Sequence, residues 1–406
     1  MIGPDVPLLF VTRSVRLFAY GLVSVVLVLH LEAAGLATRD IGLLLTLTLL
    51  GDTALSLVIT THADRVGRRA MLRVGALLML VAGGTFVLTR SFWLLLVAAT
   101  VGVISPSGNE VGPFLAIEQA ALSQEVPAER RTSTFAWYGL AGSLATAAGA
   151  LAAGMLAGAL QRRGVAPLSS YRAVLAAYAA LGLVLLGLFT RVSPAAEVPA
   201  RAADARPVSS RLGLHRSRGV VLRLSALFSV DAFAGGLVVQ SFVALWFHRR
   251  FGAGPEALGG IFFGANVLAG FSALAASAIA RRIGLVNTMV FTHLPSNVLL
   301  ALVPFMPTAP LATAVLLARF SISQMDVPTR QSYTLAVVDP DERSAAAGVT
   351  GISRTIGAAL APAVAGPLYA SAALSGVPFI ASGLLKIGYD VALWRSFRRV
   401  KPPEER

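Results

Sequence analysis

The chain alternates long apolar runs with short polar connections along nearly its whole length. Each run is about as long as the roughly 20 residues that a helix needs to cross the hydrocarbon core of a bilayer. Open strands would leave backbone polar groups unpaired in lipid, so these runs predict an all-α membrane protein. The pattern predicts twelve transmembrane helices, which we call spans 1 to 12, at residues 9–33, 40–61, 70–89, 92–121, 132–160, 171–190, 221–247, 257–280, 285–306, 310–334, 344–372 and 376–397.

The composition supports burial in lipid and bears on the kind of partner. Of the 406 residues, 56% are apolar and only 13% are charged, whereas soluble domains use about 25% charged residues. The net charge of +14 comes mainly from arginines between the apolar runs, since only Lys386 and Lys401 are lysines. This distribution favours cytoplasmic loops of a membrane protein over a nucleic-acid partner.

No residue pattern points to a cofactor or to an enzyme. The chain contains no cysteine, which excludes disulfides and thiolate metal sites, and its five histidines are too scattered to predict a metal site. A glycine-rich phosphate loop with lysine is missing, so ATP-driven transport is not expected. We expect a monomer without cofactor or metal, whose partners are the lipid bilayer and a small-molecule or ion substrate.

The distribution of arginines predicts the orientation in the membrane. Span 1 carries Arg13 and Arg16 near its start, so we expect a retained membrane helix and not a cleaved signal peptide. Excess positive charge in short loops marks the cytoplasmic face. One set of connections is rich in arginine and contains Arg65, Arg68, Arg69, Arg73, Arg130, Arg131, Arg281, Arg282 and the tail 395–406. The opposite set of connections is poorer in arginine, with Arg162, Arg163, Arg249 and Arg250 as the main exceptions. Both termini are therefore expected in the cytoplasm, with the chain in the cell (inner) membrane.

The chain divides into two similar halves. The polar stretch 191–218 separates an N-terminal bundle, 1–190, from a C-terminal bundle with its tail, 219–406, and is expected to be a cytoplasmic linker. Pro127-Ala128-Glu129-Arg130 after span 4 matches Pro340-Asp341-Glu342-Arg343 after span 10, 213 residues later. Repeated six-helix halves are typical of secondary transporters, which bind substrate between the repeats near mid-membrane.

The connection between spans 2 and 3 carries a family resemblance. Its sequence Asp64-Arg65-Val66-Gly67-Arg68-Arg69 resembles the loop signature of the major facilitator superfamily, Gly-x-x-x-Asp-Arg-x-Gly-Arg-Arg/Lys. Arg282-Ile283-Gly284 after span 8 resembles the degenerate second copy. Thr60 stands where the family has its first glycine, and His62 stands where an apolar residue is common. The resemblance extends over the whole chain and implies two pseudo-symmetric six-helix bundles.

The resemblance also implies a gating role for this loop. The network around Asp64, Arg65, Gly67, Arg68 and Arg69 is then expected to hold one alternating-access state closed. Independently of the resemblance, the arginines are able to meet a helix C-terminus, Asp64 is able to accept charge-assisted hydrogen bonds, and Gly67 permits a tight turn. A simple positive anchor on the cytoplasmic face is the alternative.

Ionisable residues inside the spans are the candidate functional residues, because they are costly in lipid and usually face a cavity or a partner. They are Asp52 in span 2, Glu110 in span 4, Asp231 in span 7, Arg319 and Asp326 in span 10, Arg354 in span 11, and Lys386 and Asp390 in span 12. The family's cavity is lined by spans 1, 4, 7 and 10, so the resemblance favours Glu110, Asp231, Arg319 and Asp326 as site residues.

The spacing suggests specific roles for these groups. Arg319 and Asp326 are seven residues apart, which places them on one face of a continuous helix. We hypothesise that Asp231 or Glu110 couples transport to protons, while Arg319 or Arg354 neutralises a carboxylate or binds an anionic substrate. The alternative is structural ion pairing, for which the spacing favours Lys386 with Asp390 and Asp326 with Arg330. His293 and Asn297 are expected to be a packing pair. Asp52 is a candidate for coupling transport to protons or for a gate.

Span 4 contains the most irregular membrane segment. The run 105–113 has two prolines and two glycines around Asn109 and Glu110. These residues are expected to kink or loosen the helix and to expose backbone carbonyls to a ligand. Glu118, further along the span, is assigned to the gate, and the glycines of span 5 indicate close helix packing.

The function predicted from these features is secondary active transport of a small solute by alternating access. The leading hypothesis is proton-coupled export of a small organic or amphipathic compound. The alternatives are a carrier of an inorganic or organic anion or of a metal ion, and a membrane sensor that does not transport.

Overall fold

The computed structural model describes residues 3–197, 214–339 and 342–400, and within these ranges the regular structure is helical. The helices are α1 (Val6–Ala33), α2 (Thr38–Val66), α3 (Arg68–Leu88), α4 (Phe92–Val101), α5 (Phe114–Glu125), α6 (Ala128–Arg162), α7 (Pro167–Thr190), α8 (Arg218–Gly236), α9 (Gln240–Phe251), α10 (Pro255–Ile283), α11 (Leu285–Leu302), α12 (Ala309–Phe320), α13 (Asp326–Ala336), α14 (Arg343–Ala370) and α15 (Val377–Phe397), with short 3-10 turns at Pro194–Ala196 and Val303–Phe305. The prediction of an all-α membrane protein is confirmed.

Three of the predicted spans are interrupted helices. Among the described residues, nine helical segments are long and apolar enough to cross a membrane. Span 4 is divided into α4 and α5, and span 10 into α12 and α13, so neither forms one continuous helix. Span 7 is broken more briefly, between α8 and α9. The nine segments count α8 and α9 together and do not include the continuous helix α14, so the predicted count of twelve is not reproduced. In spans 4 and 10, proline, glycine and polar residues at mid-span end the helical hydrogen bonding early.

The residue contacts divide the chain into two compact units. The first comprises Met1–Ala205 with Val239–Asn266, and the second comprises Arg206–Val238 with Val267–Arg406. In the first unit α1 packs along α6, α7 and α9, and α3 packs against α7. In the second unit α8 packs along α14 and α15, and α11 packs against α15. Most of the predicted linker 191–218 lies outside the described residues.

Glycines allow equivalent close helix contacts in the two units. A Cβ atom added to Gly149 of α6 would collide with the backbone carbonyl of Phe18 in α1. In the second unit, a Cβ added to Gly357 of α14 would collide with the carbonyl of Ser229 in α8. Helices in lipid associate through such small residues because the backbones can then approach closely. The glycine-rich sequence of span 5 therefore serves helix packing at Gly149.

Alanine substitutions at two glycines of α6 are expected to have opposite effects. Gly149→Ala should destabilise the protein by about 1–3 kcal/mol, because overpacking forces the backbones of α1 and α6 apart. Gly139→Ala is the matched control, since a Cβ there meets nothing within 4 Å and alanine favours helix by about 1 kcal/mol. Thermal stability of the detergent-solubilised variants, followed by gel filtration after heating, measures both. Equal stability of the two variants would contradict the packing role of Gly149.

Candidate functional site

The first candidate feature is the non-helical segment between α4 and α5, residues 102–113. Two of its glycines, Gly108 and Gly112, have positive φ angles of 73° and 81°, which favour glycine. Tyrosine hydroxyls hold both ends, with Tyr178 donating to the carbonyl of Val103 and Tyr20 to that of Val111. Irregular backbone at membrane depth is tolerated only where protein or a water-filled cavity satisfies its polar groups. The sequence predicted that span 4 would be kinked or loosened. In the structure the helix is interrupted completely over residues 102–113.

This segment also bonds to α9 and presents an exposed side chain. The Ser241 hydroxyl at the start of α9 lies 2.5 Å from the Pro106 carbonyl oxygen and 2.8 Å from that of Ser24. Asn109 is exposed, and its backbone carbonyl accepts a hydrogen bond of 2.7 Å from the Ser105 hydroxyl. The backbone of the break is therefore largely satisfied inside the first unit, while the Asn109 side chain remains accessible.

A buried ion-pair network lies in the first unit. Arg16 donates from Nη1 and Nη2 to both oxygens of Glu118 at 2.8 and 2.7 Å, and from Nε to Glu110 at 2.8 Å. Arg13 adds a second cation 2.8 Å from Glu110. Tyr138 and Thr12 also donate to Glu118. The Arg16 and Glu118 side chains are completely buried. Glu118 was predicted to belong to the gate, and the structure places it in this buried network.

Asp52 of α2 has a different environment from the other buried carboxylates. It is 8% exposed, and its Oδ1 atom has no hydrogen-bond donor among the described residues. The backbone N–H of Gly112, in the break of span 4, interacts electrostatically with Asp52. Of the ion pairs between described residues, none involves Asp52, whereas Glu110 and Glu118 both pair with arginine.

The second unit contains a larger charge cluster centred on Asp231 of α8. Lys386 of α15 lies 2.5 Å from Oδ1, and Arg354 of α14 lies 3.0 Å from Oδ2. Arg330 is 3.6 Å from Oδ2 and forms its closer pair, at 2.5 Å, with Asp326. The expected pairing of Asp326 with Arg330 is therefore present. Asp231 is the hub that joins α8, α13, α14 and α15.

The expected pair between Lys386 and Asp390 is wrong. Lys386 bonds to Asp231, while Asp390 accepts hydrogen bonds of 2.9 Å from both His293 and Asn297 of α11. The i,i+4 spacing allows a contact, but both oxygens of Asp390 are occupied by α11 side chains, and Lys386 pairs with the carboxylate on the neighbouring helix α8. His293 and Asn297 pack side by side, with Nδ1 and Nδ2 3.2 Å apart, and they extend the charge cluster to Asp390.

Arg319 lies near this cluster but makes no ion pair with a described residue. It lies at the end of α12, where its guanidinium carbon is 4.8 Å from the centre of the Phe320 ring. Its Nε atom is buried without a hydrogen-bond partner in the described residues. Asp326 begins α13 after the turn 321–325, so the two residues do not share a helical face as expected. The prediction of a shared face is wrong because span 10 is not a continuous helix.

The loop predicted to be a gate is a one-residue turn. Gly67, with a φ angle of 112°, joins the end of α2 to the start of α3. The Glu197 carboxylate accepts hydrogen bonds from the backbone N–H groups of Arg68 at 2.7 Å and Arg69 at 3.2 Å. A carboxylate at a helix N-terminus stabilises the unpaired N–H groups and the helix dipole. The side chains of Asp64 and Arg65 lie outside the described residues.

Glu342, from the repeated Pro-x-Glu-Arg motif, makes a similar cap in the second unit. Its carboxylate accepts backbone N–H groups before and at the N-cap of α8, including those of Arg216 at 2.9 Å and Ser217 at 2.8 Å. Hydrogen bonding by Ser217 and by the backbone of His215 to Ser217 lowers the pKa of Glu342 to about 2. The folded-state pKa is below the ordinary value, so this stabilisation is present above the ordinary value of 4.5 and is lost as pH falls towards 2.

These features are those of a polytopic membrane transporter, with buried charges and interrupted helices at membrane depth. The chain belongs to the Major Facilitator Superfamily, whose family model matches residues 9–362. The resemblance drawn from the loop between spans 2 and 3 is confirmed. The chain is therefore a transporter of some solute.

Known proteins of this type are similar to the chain over nearly its full length. The uncharacterized membrane protein YJR124C of Saccharomyces cerevisiae is 31% identical, over 96% of this chain and 93% of the yeast protein. The xylose transporter XylE of E. coli, in a partially occluded inward-open conformation, has a TM-score of 0.73 and 13% identity, covering 99% of each chain. The human organic anion transporter MFSD10 has a TM-score of 0.61 and 17% identity, covering 96% of this chain and 98% of the human chain.

Sequence reasoning missed four of the six residues in the first unit's network, namely Thr12, Arg13, Arg16 and Tyr138. Arg13 and Arg16 were used only to argue against a signal peptide, although their position inside an apolar span already marked them as candidates. Tyr138 carried no signal in the sequence, because a tyrosine in an apolar run usually packs against lipid or a helix. Their partners became identifiable only once the break of span 4 placed Glu110 and Glu118 beside α1.

Proposed function

We propose that this chain is a proton-coupled secondary transporter that exports a small organic solute by alternating access. The observation that carries the coupling is Asp52, a buried carboxylate without a cationic partner among the described residues. A lone charge in the interior is costly, and a proton removes that cost. Asp52 is thus better placed to take up and release a proton than Glu110 or Asp231, whose protonation must displace arginine or lysine.

The contact between Asp52 and Gly112 provides a route from protonation to structure. A charged carboxylate attracts the Gly112 N–H more strongly than a protonated one, because an ionised acceptor interacts more strongly with an N–H group than a neutral acceptor does. Gly112 lies in the break of span 4, next to Val111 and close to the Glu110 ion pairs. Protonation of Asp52 therefore loosens the break, which biases the first unit between two arrangements.

The solute class and the membrane placement complete the proposal. XylE and MFSD10 are described as xylose and organic anion transporters, which supports a small organic solute for a chain of the same fold. We place the protein in the cell (inner) membrane as a monomer, with both termini in the cytoplasm, as the arginine distribution indicates. The turn at Gly67, with Glu197 capping α3, is the proposed gate on that side.

Asp52→Asn is expected to separate coupling from exchange. In proteoliposomes, the wild-type chain should accumulate solutes from a broad panel when a pH gradient is imposed, and it should also catalyse counterflow. The variant should keep counterflow within about threefold and lose the response to the gradient, because asparagine cannot carry the proton. Asp40→Asn is the matched control, since Asp40 is an exposed carboxylate on the same helix.

The outcomes of this experiment are distinct. A variant that still responds to the pH gradient removes Asp52 from the coupling role. Wild-type counterflow without any gradient response leaves a transporter that is not proton-coupled. The absence of any flux in the wild-type chain favours the membrane sensor.

A further inference from the structure

The charges of the cluster around Asp231 in the second unit do not balance within the described residues. The cluster contains three buried carboxylates, Asp231, Asp326 and Asp390. Four permanent cations accompany them, namely Arg319, Arg330, Arg354 and Lys386. One positive charge is therefore in excess even when His293 is neutral. An uncompensated cation at membrane depth is costly, so this cluster favours a ligand with one negative charge.

Arg319 carries the excess charge. The oxygens of Asp231 and Asp326 already contact Lys386, Arg354 and Arg330 at 2.5–3.6 Å. Arg319 interacts electrostatically with both carboxylates but forms an ion pair with neither. Its Nε donor is unused among the described residues, and the Phe320 ring supports the guanidinium plane from one side. A fixed guanidinium with free donors matches the planar fork of a carboxylate.

Arg354 supplies a second, partly available guanidinium. It donates one hydrogen bond, from Nη1 to Asp231, and its side chain is 31% exposed. Both arginines therefore act on the same carboxylate hub, Asp231, from two different helices, α12 and α14. Arginine has five N–H donors, so a single bond to Asp231 leaves most of the Arg354 donors for another acceptor.

We infer that Arg319 and Arg354 form a subsite for the carboxylate of a small monovalent organic anion. This inference rests on the proposed transport function and names its substrate class. Arg319 binds the anion through its unused donors, and Arg354 contributes while it keeps Asp231 in place. Asp231 itself orients the cations and is a positioning residue.

Ligand binding to the purified full-length chain tests this subsite without transport. Thermal stability in detergent is measured against benzoate, phenylacetate and lactate, against benzamide as the neutral counterpart of benzoate, and against inorganic phosphate. We expect the carboxylates to stabilise the wild-type chain and benzamide to have at least tenfold weaker affinity. Phosphate binding as tight as that of the carboxylates would replace the organic anion by an inorganic one and overturn the inference.

Variants assign the effect to Arg319. Arg319→Gln should weaken carboxylate binding about tenfold or more, because a charged hydrogen-bonding partner is lost. Arg319→Lys should recover only part of it, since lysine keeps the charge without the fork. Arg395→Gln, an exposed arginine of α15, is the control and should bind like the wild type. Unchanged binding in Arg319→Gln, or no carboxylate binding by the wild type, overturns the inference.

Carboxylate binding tests the subsite, and flux in proteoliposomes tests the proposed transport function, so the two proposals can fail independently. Transport of neutral solutes without carboxylate binding would refute the subsite and leave the proposed function intact. Carboxylate binding without flux in proteoliposomes would refute the proposed function and leave the subsite intact.

Discussion

Asp231→Asn is expected to destabilise the protein by about 3–5 kcal/mol, which is the usual cost of removing one partner from a buried ion pair. The substitution removes the negative charge that lies 2.5 Å from Lys386, and the single amide oxygen that remains can accept from Lys386 or from Arg354 but not replace both carboxylate oxygens. Lys386 then stays buried without its counter-ion, beside the positive charges of Arg330 and Arg354. The measurement is the fraction of detergent-solubilised protein that stays monodisperse after heating, together with the yield from membranes.

A double substitution distinguishes loss of charge balance from loss of a contact. In Asp231→Asn with Lys386→Met, one positive and one negative charge disappear together, so we expect at least half of the lost stability to return. Lys386→Met alone should be milder than Asp231→Asn, because Arg354 still compensates Asp231. Asp231→Asn protein as stable as the wild type would show that the hub contributes little to the fold.

Arg16→Gln is expected to have the second large effect, in the first unit. Arg16 is fully buried and pairs with both Glu118 and Glu110, so its loss leaves one carboxylate without a cation and the other with Arg13 alone. The expected destabilisation is again about 3–5 kcal/mol. The non-helical segment 102–113 adjoins this network, so solute exchange in proteoliposomes should fall even in the protein that folds.

Two further variants separate charge from geometry at this position. Arg16→Lys keeps the charge but cannot form the two parallel bonds to Glu118, so an intermediate stability is expected. Arg16→Gln with Glu118→Gln removes one charge of each sign and should be more stable than Arg16→Gln alone. A lysine variant that equals the wild type would indicate that the fork geometry is unimportant.

The two units leave opposite charges without partners. In the first, Asp52 is a buried carboxylate that makes no ion pair with a described residue, and in the second, Arg319 is the corresponding cation of the described cluster. Breaking the buried ion pairs around them costs folding free energy, so the paired residues hold fixed positions. The unpaired groups are the ones that gain most from a proton or an anion, which is why we assign coupling to Asp52 and anion binding to Arg319.

Sequence patterns located the charged residues but misassigned several partners. The i,i+4 rule succeeded for Asp326 with Arg330 and failed for Lys386 with Asp390. Spacing along one helix predicts which contacts are allowed. It does not reveal which carboxylate of another helix competes for the same cation, and in a membrane interior that competition is strong because every charge needs a partner.

The sequence by itself determined the class of this protein. Apolar runs of bilayer length require helices, since no other open structure satisfies its backbone in lipid, and the loop Asp64-Arg65-Val66-Gly67-Arg68-Arg69 identified the superfamily. The tertiary structure alone decided which charges meet. The breaks in spans 4 and 10, the pairing of Arg16 with Glu118 and the hub at Asp231 depend on contacts between helices distant in sequence. Helical periodicity specifies a face of each helix, but only packing chooses the neighbour which that face meets.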